Sequence, residues 1–162
     1  MPAPVFLNDR PTDRTNERAS GARFQKKIGF RAEVSSDPEQ ILKATKIILP
    51  GVGSYNNGMK NLQNMGLIPT LNQKVLEKGT PILGICLGMQ LLADKSEAHG
   101  LHEGLGLISG CVKRLQPGNA GFRVPNMGWC DVVFRDATEP CFSFSDPQAF
   151  YFAHSYHLDC SS

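Results

Sequence analysis

The sequence predicts an α/β fold built around a mostly parallel sheet, on three observations. Short apolar runs alternate with segments of helical periodicity, which is the pattern of strand–helix–strand units. Pro and Gly stand where these segments meet. The composition, with 41% hydrophobic and 20% charged residues over 162 positions, is typical of a globular chain that buries a core.

The first half of the chain is predicted to alternate strands and helices after an irregular start. Residues 1–15 are rich in Pro, Asp, Arg and Thr, and Val5-Phe6-Leu7 is their only strand-like fragment. Helices are expected at 16–28, from Asp37-Pro38 onward, after a capping Ser54, and at 69–78. Strands are expected at 30–35 and 46–49. We therefore predict an irregular basic leader at 1–15 and one domain over 16–162.

The second half continues the alternation and then becomes strand-rich. A short apolar strand is predicted at 81–85 and a helix at 87–94. Further strands are predicted at 112–115, 129–134 and 150–158. In the last of them Phe150, Phe152, His154 and Tyr156 would share one face, because strand side chains alternate.

Charge, hydropathy and cysteine content exclude several classes of protein. The net charge of +2 is too small to indicate nucleic-acid binding, although residues 1–31 carry seven Lys and Arg against three Asp and Glu. No apolar run approaches the roughly 20 residues of a membrane span, and no secretory signal is recognisable. Five cysteines without a CxxC pair argue against a disulfide framework or a zinc site and fit a reducing cytoplasm. We expect no metal and no cofactor.

The stretch 80–94 carries the strongest chemical signal. An apolar strand leads into Gly84-Ile85-Cys86-Leu87-Gly88 and a helix follows, which is the layout of a nucleophile elbow with Cys in place of Ser. The glycines let the backbone turn sharply, the helix N-terminus favours a thiolate, and the Leu87 N–H would face an oxyanion. The alternative is a buried core cysteine, because Cys is among the most buried residue types.

Three other segments bear on function. Gly51-Val52-Gly53 follows a predicted strand and either presents N–H groups to an oxyanion or a carboxylate or is an ordinary strand–helix turn. His154 and His157 lie three residues apart, so they cannot share a strand face, and a metal-binding pair is not expected. Trp129, the single tryptophan, is either a core residue or an anchor at a partner surface.

Taken together, these motifs resemble class I glutamine amidotransferases. LPGVG, GICLGMQLL, GLGLISG, VPNMGW and YFAHSYH occur in the order seen in that family, and in particular in the glutaminase subunit of imidazole glycerol phosphate synthase. The likeness extends from about Asn16 to about Cys160. It implies a three-layer, flavodoxin-like α/β fold, with a mostly parallel sheet flanked by helices.

The resemblance also implies a mechanism. Cys86 would attack the side-chain amide of glutamine to form a glutamyl thioester, ammonia would leave, and water would release glutamate. Ammonia would pass to a synthase partner with a (β/α)8 barrel. The residues implied to bind substrate are Gly51, Val52, Gly53, Leu87, Gln90, Ser155 and Tyr156. Those implied at the partner surface are Asn126, Met127 and Trp129.

The chain departs from the family in three places. Residues 1–15 hold nothing like the family's hydrophobic first strand, which is expected in the middle of the sheet. The family's catalytic His and Glu lie in a QFHPEKS-like segment beyond the HSY motif, so we expect a truncated chain, incomplete at its C-terminus, that hydrolyses glutamine poorly. Asn126 stands where the synthase subunit usually has His, as is more typical of paralogues that supply ammonia for sugar amidation in surface-polysaccharide synthesis.

Two other functions remain open at this point. A degenerate, non-catalytic subunit would bind or scaffold a synthase without selective labelling of Cys86 by a glutamine analogue. A different elbow enzyme, such as a cysteine peptidase or a chaperone-like protein of the same broad fold, would be indifferent to glutamine.

Overall fold

A computed structural model describes residues 5–7, 32–118, 123–132 and 148–160. The chain forms two compact units, one of Met1–Lys113 with Leu158–Ser162 and one of Arg114–His157. The predicted helix at 16–28 lies outside the described residues, and the predicted boundary near residue 15 stays a prediction. Within the described ranges no helix has the length and apolar character that a membrane crossing requires.

The first unit contains a four-stranded parallel sheet, as the sequence predicts. Its strands are β1 Val5–Leu7, β2 Glu33–Ser35, β3 Ile47–Gly51 and β4 Ile82–Cys86. The spatial order is β2-β1-β3-β4, which is the order in which flavodoxin-like sheets begin. All three pairings are parallel, so the carboxyl ends of the strands meet at one edge.

The position of β1 corrects one expectation. Residues 1–15 were expected to hold nothing like a central first strand, yet Val5–Leu7 pairs with β2 on one side and with β3 on the other. Val5 is buried. Three residues are too few to show a strand pattern in the sequence, and neighbouring strands on both sides supply the hydrogen bonds that hold them.

Within the described ranges, four short helices pack on these strands or connect them. They are α1 Pro38–Lys43, α2 Tyr55–Asn64, α3 Leu67–Asn72, which continues as a π-helical turn over Gln73–Glu77, and α4 Leu87–Leu91. Helix α1 begins as predicted, because the Asp37 carboxylate accepts a hydrogen bond of 3.0 Å from the Glu39 N–H. The fully buried side chains of the strands and helices form the core: Ile41, Ile47, Leu49, Leu62, Leu67, Leu71 and Leu91.

A second sheet follows α4 along the chain. Its strands are β5 Ala93–Ser96, β6 His102–Glu103, β7 Ile108–Arg114 and β10 Tyr156–Cys160, in the order β10-β7-β5-β6. The predicted helix at 87–94 is therefore wrong at its end, since the chain enters β5 at Ala93. The Asp94 carboxylate accepts a hydrogen bond of 3.0 Å from the Gly110 N–H, which holds Asp94 to the strand.

The second unit contains an antiparallel two-stranded ribbon. Its strands are β8 Asn126–Val132 and β9 Gln148–His154, and residues 133–147 between them lie outside the description. The predicted strand at 150–158 is interrupted at Ser155, because β9 ends at His154 and β10 begins at Tyr156. The ribbon pairs Asn126 with His154 and Trp129 with Tyr151.

Candidate active site

The turn from β4 into α4 holds Cys86 in an unusual backbone conformation. Cys86 ends β4, immediately precedes α4, and has φ 54° and ψ −117°. A positive φ is uncommon for a residue with a side chain and costs on the order of 1–3 kcal/mol here. The residue is exposed and its thiol is free. A sharp turn that presents an exposed thiol is the geometry that the nucleophile-elbow pattern predicts.

The two glycines that flank this turn are required by close packing. A Cβ at Gly88 would run into the carbonyl oxygen of Leu49 in β3. A Cβ at Gly84 would lie 2.6 Å from the backbone nitrogen of Met89. Because side chains do not tolerate such contacts, glycine alone lets α4 pack directly on the ends of β3 and β4.

The Gly-rich turn lies beside Cys86 at the carboxyl edge of the parallel sheet. Gly51, the last residue of β3, is the register partner of Cys86, and a Cβ on it would lie 2.7 Å from the backbone nitrogen of Gly88. Val52 is 63% exposed, and Gly53 has φ +104°, which favours glycine. Ligands bind at this edge in open α/β sheets.

Helix α4 contributes a backbone donor next to the thiol. The Leu87 N–H belongs to the first turn of the helix, where N–H groups have no partner within the helix, while the Leu87 side chain is buried. Such a donor stabilises the negative charge that forms on an attacked carbonyl oxygen. Gln90 follows Cys86 by four residues and is buried. The structure thus brings Gly51, Cys86 and Leu87 together, and a contact between Gln90 and substrate stays a prediction.

Tyr55 is a residue of this region that sequence reasoning missed. It opens α2 two residues after Gly53, and its side chain is only 2% exposed. Its ring centroid lies 6.3 Å from that of His102, and its Oη has no hydrogen-bond partner among the described residues. Burial raises the pKa of the phenol from 10.0 to about 12, and the nearby Cys111 and Glu103 act in the same direction. A large aromatic residue directly after a Gly-rich turn is the only signal that marks this position in the sequence.

The ribbon in the second unit separates residues that the sequence groups together. Met127 and Trp129 lie on one face of β8 and are 63% and 73% exposed, and Trp129 packs edge-on against Tyr151 with ring centroids 5.7 Å apart. Asn126 lies on the opposite face, where it is half-buried beside His154. Asn126 therefore faces away from the other two, because strand side chains alternate, and a partner surface that includes all three stays a prediction. Tyr151 was missed, since only the strand register makes it the neighbour of Trp129.

Ser155 joins β9 to β10, and Tyr156 is the first residue of β10. The Ser155 carbonyl accepts a hydrogen bond of 2.9 Å from the Leu115 N–H. The Tyr156 carbonyl accepts one of 2.9 Å from Nδ1 of His154. Both residues are half-buried. Their predicted contact with substrate stays a prediction.

Metal ligands do not converge in the described part of the chain. Within it, no three His, Cys, Asp or Glu side chains lie close enough together to hold a metal ion. His154 bonds instead to the Asn126 amide and to the Tyr156 carbonyl.

Comparison with known proteins shows which family this sequence matches. Residues 23–161 match the family described as Glutamine amidotransferase class-I. The chain is 48% identical to imidazole glycerol phosphate synthase subunit HisH 2 of Methanococcus maripaludis, over 83% of this chain and 65% of the relative. It is 44% identical to subunit HisH of Listeria monocytogenes serotype 4a, over 96% of this chain and 72% of the relative. The chain therefore spans 65%, or slightly less than two thirds, of the length of the Methanococcus maripaludis relative.

A solved structure supports the fold independently. The protein described as "Crystal structure of glutamine amidotransferase" superimposes with a TM-score of 0.65 at 19% identity, over 95% of this chain and 72% of the other. The predicted α/β fold is thereby confirmed. With the sequence matches and the turn at Cys86, it follows that this chain belongs to the class I glutamine amidotransferase family.

Proposed function

We propose that this chain is the glutamine-hydrolysing subunit of a two-part synthase, with Cys86 as its nucleophile. The observation that carries the proposal is the strained, exposed Cys86 turn, which lies in register with Gly51. Structural cysteines are packed inside, whereas backbone strain of this kind collects at functional sites. The relatives named above are subunits of imidazole glycerol phosphate synthase, which points to the same assembly and to histidine biosynthesis.

The proposed reaction begins at the Cys86 sulfur. Sγ attacks the carboxamide carbon of glutamine and forms a C–S bond, while the carbonyl electron pair moves onto oxygen. The Leu87 N–H and the 51–53 turn stabilise that oxyanion. The C–N bond then breaks, and the thiol proton leaves with the nitrogen as ammonia. Water hydrolyses the thioester, which yields glutamate and restores the thiol.

The exposed ribbon face is the proposed docking surface for the synthase. Met127, Trp129 and Tyr151 form an exposed apolar and aromatic face, and aromatic residues are enriched where binding energy concentrates. We propose that a (β/α)8-barrel subunit covers this face and receives the ammonia. The four cysteines within the described ranges are free, which fits a cytoplasmic location.

Calorimetry with Cys86→Ser tests substrate choice without turnover. This variant keeps a side chain of similar size, and we expect saturable binding of L-glutamine. L-Asparagine, one methylene shorter, is expected to bind about tenfold or more weakly, because its amide stops short of residue 86. Cys160→Ser, which alters another exposed thiol, is the matched control. A scaffold subunit or an unrelated elbow enzyme would bind neither amino acid or fail to distinguish them.

A further inference from the structure

The Gly-rich turn between β3 and α2 has few contacts of its own. All three of its residues are exposed: Val52, Gly53 and Ser54. Among the described residues, nothing lies within 4 Å of a Cβ built on Gly53. The Ser54 side chain, at the N-cap of α2, accepts no capping hydrogen bond from that helix. The position of the turn therefore depends on the two buried residues at its ends, Gly51 and Tyr55.

The pairing of β3 with β4 holds the first end of the turn. Gly51 is the register partner of Cys86. Its backbone also packs closely on the start of α4, since a Cβ on Gly51 would lie 3.0 Å from the Leu87 Cβ. The first end of the turn thus has a fixed position relative to Cys86.

The Tyr55 side chain holds the second end in a tight socket, which is formed by His102 and Gly104. The rings of Tyr55 and His102 lie 6.3 Å apart between centroids and are inclined by 30°. A Cβ at Gly104 would collide with the Tyr55 hydroxyl oxygen. The Gly104 backbone is itself held, because its N–H donates a hydrogen bond of 2.8 Å to the Asp94 carbonyl. The phenol ring therefore has little room to move.

The shape of the Tyr55 ring, rather than its hydroxyl group, makes this anchor. Tyr55 Oη and His102 Nε2 are both buried, and neither has a hydrogen-bond partner among the described residues. A hydroxyl without a partner adds no hydrogen-bond energy, so burial of the aromatic ring supplies the stabilisation. Phenylalanine would therefore fill the socket as tyrosine does, whereas a smaller side chain would leave part of it empty.

We infer that Tyr55 is a positioning residue that fixes the 52–54 turn beside Cys86. The sheet holds the turn at Gly51 and the socket holds it at Tyr55, so only three residues between them are free to change conformation. Held in this way, the backbone N–H groups of the turn are in place before charge develops on the attacked oxygen, and such preorganised donors need no rearrangement during the reaction. This consequence rests on the proposed function, whereas the anchoring of the turn does not.

Nitrogen-15 relaxation of the full chain tests the anchor. In the wild type and in Tyr55→Phe, we expect the amides of residues 52–54 to be as ordered as those of β3, with order parameters of about 0.85. Tyr55→Leu is expected to lower the values in the turn below about 0.6, which is the range of flexible segments. Leu62→Val trims a fully buried side chain two turns later in α2 and is the matched control, with an unchanged turn.

Two results would overturn the anchoring role of Tyr55. One is a wild-type turn with order parameters below about 0.6, and the other is a Tyr55→Leu turn as ordered as that of the wild type. Should Tyr55→Leu fail to fold, Tyr55→Met makes the same comparison, because its flexible side chain fills more of the socket.

Acylation of Cys86 tests the consequence for the reaction. With L-γ-glutamyl hydroxamate, Cys86 would attack the carbonyl carbon through an oxyanion and release hydroxylamine, and intact-protein mass spectrometry follows the glutamyl thioester. We expect Tyr55→Leu to lower the maximal acylation rate by about tenfold or more, against roughly 100- to 1,000-fold for a lost oxyanion donor. The half-saturating concentration is expected to stay unchanged, since the turn acts on the transition state. Tyr55→Phe and Leu62→Val are expected to match the wild type, and Cys86→Ser gives the background.

The acylation rates separate the role in the reaction from the anchoring. Equal maximal rates for the wild type and Tyr55→Leu would refute the role of Tyr55 in the reaction. If wild-type Cys86 is not acylated, the proposed function fails together with that role, and the relaxation data alone decide whether Tyr55 fixes the turn.

Discussion

The Cys86 turn and the β8–β9 ribbon are built in opposite ways. At the turn, glycines bring backbone against backbone, so that a Cβ at Gly88 would meet the Leu49 carbonyl oxygen. On the ribbon, side chains stand away from the sheet, and 73% of Trp129 is exposed. The turn therefore depends on backbone conformation and tolerates little change. The ribbon depends on which side chains share a face, so we expect its exposed positions to accept substitution without loss of fold.

Gly88→Ala is expected to have the largest effect on stability. Its Cβ would press on the backbone of Leu49 rather than on a flexible side chain, so α4 must move away from β3. We expect the free energy of unfolding to fall by about 3 kcal/mol or more, measured by urea denaturation. Gly79→Ala is the matched control. Gly79 has φ +62° and nothing within 4 Å of an added Cβ, so only about 1–2 kcal/mol of backbone strain is expected. Equal losses in the two variants would contradict the packing argument.

The buried Tyr55 phenol makes the stability of the first unit depend on pH in the alkaline range. Its pKa is about 12 in the folded protein against 10.0 in the unfolded chain, so the unfolded state loses its proton first as the pH rises. The protonated phenol makes its full contribution to the free energy of unfolding below pH 10. That contribution is lost between pH 10 and 12, by about 2–3 kcal/mol in total. Denaturation across this range, compared between the wild type and Tyr55→Phe, measures the effect. Parallel curves for the two proteins would refute it.

Trp129→Ala separates stability from partner binding on the ribbon. Because the side chain is mostly exposed, we expect the free energy of unfolding to change by no more than about 0.5 kcal/mol. Affinity for a (β/α)8-barrel synthase subunit is expected to fall by about 2 kcal/mol, or roughly thirtyfold. Leu101→Ala removes a comparably exposed apolar side chain from the first unit and serves as control. Equal affinities for the two variants would place the docking surface elsewhere.

The backbone strain at Cys86 predicts a smaller difference in stability, between glycine and alanine at that position. Glycine adopts φ 54° freely and alanine does not, so Cys86→Gly is expected to be about 1 kcal/mol more stable than Cys86→Ala. At Cys160, in β10, the order is expected to reverse, because glycine weakens a strand. Thermal or urea denaturation of the four variants decides the matter. A more stable alanine variant at position 86 would mean that the turn is not strained.

The same contrast explains which structural features could be predicted from the sequence alone. The elbow was predictable because its residues are consecutive, with Gly84 and Gly88 on either side of Cys86. Likewise Asp37 and Pro38 predict the start of α1, because Asp caps a helix N-terminus and Pro is favoured in the first turn. In both cases the cause of the structure lies within a few residues of its effect.

The features that were missed depend on distant pairing. Val5–Leu7 is central only because β2 and β3 flank it. Asn126 and Met127 are neighbours in sequence but lie on opposite faces, and only the pairing of Asn126 with His154 shows what each face meets. No local pattern contains that register, because the two strands are separated by residues 133–147.

Covalent labelling of the wild-type chain by a chloroketone analogue of glutamine tests the central claim most directly. The labelled positions are read by peptide mass spectrometry, with Cys160 as an internal reference because it is also exposed and free. The account predicts rapid labelling of Cys86, slowed by L-glutamine, and slow labelling of Cys160 that glutamine does not affect. Equal labelling of both thiols, or labelling of Cys86 that glutamine does not slow, would contradict it.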